Sequence, residues 1–131
     1  MAATVLVRSD VDAGLRLIKI LDQGGFGVVA ALWLFLTDAE KWKLVVAYKG
    51  PNKDLEKKYL EAATLISQWR REHLEDNILD LSNVRITGAD DPLIAGLKNV
   101  VRVDGTSELR FSNNLINGIY VEDALIHRLA A

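Results

Sequence analysis

The chain has 131 residues, half of them apolar and 26% charged, the balance of one globular domain able to bury about two-thirds of the surface its unfolded form exposes. Sixteen Lys and Arg stand against eighteen Asp and Glu, and neither half of the chain is strongly basic, which argues against a nucleic-acid partner that needs many phosphate contacts. The absence of cysteine excludes disulfides, thiolate catalysis, zinc held on sulfur and iron–sulfur clusters, and it is compatible with a reducing cytosol.

The longest apolar run, Phe26 to Leu36, is short of the roughly 18 to 20 residues a helix needs to cross a bilayer. Met1 to Val7 has neither the charged start nor the apolar length of a secretory signal. The expectation is a cytoplasmic protein with no membrane partner.

Ser9, with Asp12 three residues on, resembles a shortened capping box, and Val11, Leu15 and Ile18 recur at helical spacing before Gly24 and Gly25. This predicts a first helix from about Asp10 to Asp22. From Phe26 to Leu36, Val28, Ala30, Leu32 and Leu34 alternate with Val29, Ala31, Trp33 and Phe35, so both faces are apolar and the strand belongs in the middle of a sheet. Trp42 to Tyr48 is a second strand, joined to the first across Thr37 to Lys41.

After Gly50, Pro51 and Asn52 the period changes. Leu55, Tyr59, Ala62, Ile66, Trp69 and His73 form one stripe of an amphipathic helix from Asp54 to about Leu74. A strand follows at Val84 to Thr87, and Asp91 before Pro92 marks the start of a short helix.

The last third reads as a three-stranded meander, because Asp104–Gly105 and Asn117–Gly118 are dipeptides that favour tight hairpin turns. With Asn117 and Gly118 as a two-residue loop, Ile116 faces Ile119. Counting outward then opposes Leu115 to Tyr120, Phe111 to Ala124 and Leu109 to Ile126 on an apolar face. The other face opposes Glu108 to His127, Arg110 to Leu125 and Ser112 to Asp123, and a one-residue slip would bury this polar set. The same register sets Glu122 against Asn113 within the apolar face, where a carboxylate must be hydrogen-bonded or take up a proton.

Other motifs favour structure over chemistry. Gly25, Gly27 and Ala30 carry the letters of a dinucleotide-binding turn, but a helix precedes them and a strand follows, the reverse of the order that points a helix N-terminus at a pyrophosphate. His73 with Glu72 or Asp76, and Asp90 with Asp91, are too few ligands for a metal centre. Lys57, Lys58, Arg70 and Arg71 alternate with acidic residues along one helix. Trp33, Trp42 and Trp69 fall on apolar patterns and belong to core or interface. No nucleophile elbow or phosphate-binding loop is present. Neither a cofactor nor a metal is expected.

The segments Ala31-Leu32-Trp33-Leu34, Trp42-Lys43-Leu44 and Asn117 to Ala124 resemble those of a group of small uncharacterised bacterial proteins. The resemblance implies a bacterial cytosolic protein and assigns no residue a role. The reading is a single α+β domain over residues 1–131, in the order α-β-β-α-β-(short α)-β-β, with a mostly antiparallel sheet and two main helices. The expected function is a non-enzymatic binding or assembly module acting through protein contacts as a homodimer, with Trp42 to Tyr48 near a sheet edge pairing across a two-fold. The alternative is a small hydrolase or transferase with a polar site around Glu122, Asn113, Arg110 and His127.

Overall fold

The run Val28–Leu36 is apolar on both sides, and both sides are covered. A computed structural model describes residues 5–75 and 77–130. In chain order it comprises α1 (Arg8–Gln23), β1 (Val28–Leu36), β2 (Lys41–Tyr48), α2 (Leu55–Glu72), β3 (Val84–Gly88), α3 (Pro92–Leu97), β4 (Leu109–Ile116) and β5 (Ile119–Leu129). This is an α+β domain with the predicted element order. The five strands form one sheet in the order β3-β2-β1-β5-β4, so β1 is the central strand. All neighbours are antiparallel except β2 and β3, which α2 joins as a crossover.

On one face, Leu17 and Leu21 of α1 and Ala62 and Ile66 of α2 pack on Trp33, Leu44, Val46 and Ile86. On the other, Leu93, Ile94 and Leu97 of α3 pack on Leu32, Val45, Ala47 and Ile126. Each such buried side chain stabilises the fold by about 1.5–3 kcal/mol relative to exposure. The α2 stripe lies as its spacing predicts, with Ala62 and Ile66 buried and Tyr59 and Trp69 packed beside them. No helix among the described residues is long and apolar enough to cross a membrane.

Several expectations need correction. α1 begins at Arg8 after Val7, so Ser9 lies inside the helix and caps nothing. β2 is not at an edge. It lies between β1 and β3, because the α2 crossover returns β3 to its free side. The β3 strand is in turn covered by α2, whose Tyr59 hydroxyl accepts the Ile86 N–H at 2.9 Å. The meander is reduced to one hairpin, since Val103 makes only a single bridge to Leu129. Arg128 holds the intervening loop out of the sheet, donating to the Gly105 carbonyl and the Thr106 hydroxyl.

The β4–β5 hairpin has the predicted register, with Asn117 and Gly118 at φ 52° and 80° in its turn. Its faces do not follow one alternation. Phe111, Ala124 and Ile126 face the α3 side, but nearer the turn the inward residues become Ile116 and Val121, leaving the pair Leu115 and Tyr120 exposed. The switch occurs at Asn113, whose φ of 54° puts one left-handed residue into the strand and costs the alternation a step. Asparagine tolerates this conformation better than other residues with a Cβ.

Asn113→Val is therefore expected to destabilise the protein by about 1–2 kcal/mol, while Asn113→Gly stays within about 0.5 kcal/mol of the parent. Urea unfolding of the three proteins measures the difference.

Candidate functional site

β1 and β5 part company before either ends. Their pairing stops at Leu34 and Ala124, while β1 continues to Leu36 on β2 alone and the first residues of β5 turn away toward α3. The parting opens a groove of about 550 Å³ between the end of β1, the start of α3, Arg85 of β3, and Ile119 and Tyr120 of β5. Its apolar surface comes from Leu34, Leu36, Leu93 and Ile119, and its polar rim from Thr37, Asp38, Arg85 and Tyr120.

One wall is set by Asp91, which is buried. Its carboxylate caps α3 by accepting the Leu93 N–H at 3.1 Å, and it accepts a further bond from Arg85 Nη2 at 3.1 Å. The Thr87 hydroxyl donates to Asn52 Oδ1 at 2.8 Å and lies 3.3 Å from Asp91. Asp90 faces elsewhere, accepting the Asn52 N–H at 2.6 Å. Asp90 and Asp91 thus serve loops and a cap, and no group of three or more potential metal ligands gathers among the described residues.

The four residues of the enzymatic alternative each hold a different partner. Glu122 is half-buried beside the groove and accepts the Thr37 hydroxyl at 3.0 Å. Asn113 is exposed and accepts the Tyr120 hydroxyl at 2.8 Å. The expected burial of Glu122 against Asn113 within an apolar face does not occur, because the face changes at Asn113 itself. Both residues instead reach the groove indirectly, through Thr37 and Tyr120.

Arg110 forms a two-pronged pair with Asp123, at 2.9 and 2.6 Å, and lies 5.4 Å from the centre of the Trp42 ring. The pair raises the Arg110 pKa and holds the Asp123 carboxyl below its ordinary range.

His127 is fully buried where β5 shifts register against β1. Its Nδ1 donates to the Ser107 carbonyl at 2.7 Å, and Nε2 has no partner among the described residues. Glu108, which the hairpin register sets opposite His127, makes no ion pair with it among the described residues and instead takes both prongs of Arg8 at 2.9 and 2.8 Å. Burial is the main cause of a His127 pKa below the ordinary histidine value, outweighing the Ser107 hydrogen bond and the Glu108 charge.

The remaining motifs resolve into structure. Gly25 and Gly27, both at positive φ, turn the chain from α1 into β1. His73 ends α2, stacked on Trp69 at 3.9 Å with Nδ1 donating to the Trp69 carbonyl, while Asp76 lies outside the described residues. Lys58 of the basic helix is held over the Phe26 and Tyr48 rings and bonds the Phe26 carbonyl, so it is not presented to a phosphate backbone. Arg85 and Thr37 carry no sequence signal, because their place at the groove follows from pairings far apart in the chain.

Comparison with protein-family models, curated proteins and solved structures finds no match.

The buried His127 makes stability depend on pH. Its folded pKa is lowered, so the unfolded chain binds the proton first as pH falls below about 6.5. The contribution is complete above that value and is lost progressively as pH falls toward the folded pKa. Urea midpoints are expected to drop between pH 7 and pH 5.5, and His127→Gln, which retains a donor toward Ser107, is expected to remove that drop.

Proposed function

We propose that this chain is a non-enzymatic binding module of the cytosol that assembles with a second copy of itself through the tip of the β4–β5 hairpin and the turn after α3. The observation that carries this reading is a hollow lined by exposed apolar side chains. Leu115 and Val100 are 69% and 57% exposed. They border a hollow of about 260 Å³ that also takes in Ala95, Gly96, Asn99 and Asn117.

A two-fold contact requires one surface to complement itself, and exposed apolar side chains beside a hollow that each copy can fill are suited to that condition. Gly96 shapes the hollow, because a Cβ there would lie 2.6 Å from Ile116 Cγ2. Trp42 to Tyr48 cannot pair across a two-fold as expected, since β2 has a strand on either side. The cysteine-free sequence fits a reducing compartment. The enzymatic alternative gains no comparable support, as Glu122, Asn113, Arg110 and His127 bond to separate groups.

Sedimentation equilibrium at about 10 to 200 μM tests the proposal, with a dimer mass expected. Leu115→Glu, on an exposed position, is expected to leave folding intact and weaken the dimer at least about tenfold through loss of apolar burial on both sides of the two-fold. A wild-type monomer across the whole range would exclude the reading.

A further inference from the structure

We infer that the groove between the diverging ends of β1 and β5 binds a small amphipathic monocarboxylate, its apolar body on Leu34, Leu36, Leu93 and Ile119 and its carboxylate on Arg85. The volume of about 550 Å³ lies within the range of small-molecule sites, and an apolar surface with a few convergent polar groups is their usual composition.

Among the described residues, Arg85 is the only cation in the lining. Its hydrogen bond to buried Asp91, the single one among the described residues, uses one of five guanidinium donors, and the side chain remains 47% exposed. Asp91 is itself fixed as the cap of α3, so it anchors the guanidinium while leaving donors for a planar acceptor. A carboxylate matches that fork in two parallel hydrogen bonds.

Asp38 sets the charge limit. It stands on the rim with buried Asp91 behind it and the half-buried Glu122 carboxylate on Thr37, so a dianion such as a phosphate monoester would add its two charges to three carboxylates with one guanidinium to offset them. A single carboxylate meets less of that repulsion than a dianion does, and the guanidinium fork can hold it in two hydrogen bonds. This site is separate from the Val100 and Leu115 contact and does not depend on the oligomeric state.

The test is a titration of the ¹⁵N-labelled full chain followed by NMR, with 3-phenylpropionate as probe and 3-phenylpropionamide and phenyl phosphate as comparisons. The acid is expected to shift amides at Leu34 to Asp38, Arg85, Leu93 and Ile119. The neutral amide and phenyl phosphate should each bind at least about tenfold more weakly, the range of a charge-assisted hydrogen bond. Arg85→Gln is expected to reduce acid binding to the level of the amide. If that variant does not fold because Asp91 has lost its partner, the comparison of acid with amide on the wild type decides alone. Equal binding of acid and amide, shifts confined to other surfaces, or no shifts up to about 10 mM acid would overturn the inference.

Discussion

The constraint on which the rest depends is that β1 must be hidden on both faces. Its two alternating sets carry Leu32 and Leu34 on one side and Trp33 on the other, and neither is tolerable in water. Two long helices cover the Trp33 side. The other receives only α3, a helix of 6 residues, so the β4–β5 hairpin must supply the remaining cover. It does so by coiling toward α3 until Ile116 lies against Gly96. The left-handed Asn113 lets the hairpin change its inward face as it coils. The same movement separates β5 from the end of β1, so the groove is a consequence of covering a sheet with too short a helix.

The polar groups follow that frame. Asp91 ends the β3–α3 connection and must cap the short helix from a buried position, where its charge is opposed by Arg85 and its remaining acceptor capacity is used by local donors. The groove thereby acquires an arginine whose direction is set by the fold. Elsewhere, Arg8 with Glu108, Arg110 with Asp123 and Arg128 with Asp22 form two-pronged pairs across the surface. Water screens the pairs that lie in the open, so their effect is more on local geometry than on stability. Arg128 is the clearest instance, since it joins α1, the end of β5 and the loop before β4.

Much of the fold is legible in the sequence. The α2 stripe, the two-faced β1, the Asp91–Pro92 helix start and the Asn117–Gly118 turn are local patterns, and each is found at its predicted place. The hairpin register was legible as well, because a two-residue turn leaves one way to count outward. The face pattern was not, because a single left-handed residue shifts alternation without shifting register. The candidate site was legible only in fragments. Glu122 and Asn113 stood out as polar residues in an apolar pattern, and both lie one hydrogen bond from the groove, but Arg85 and Thr37 did not stand out at all.

The sequence by itself determined the elements, their order and the central position of β1, since these depend on side-chain periodicity over a few residues and on the need to bury both faces of one strand. Tertiary structure alone decided that β3 pairs in parallel beside β2, that the hairpin changes face, that His127 is sealed with no partner for Nε2 among the described residues, and that Arg85 meets Asp91 at the mouth of a groove. Each of those outcomes depends on which distant segments compete to cover the same apolar surface, and that competition has no signature in the local spacing of residues.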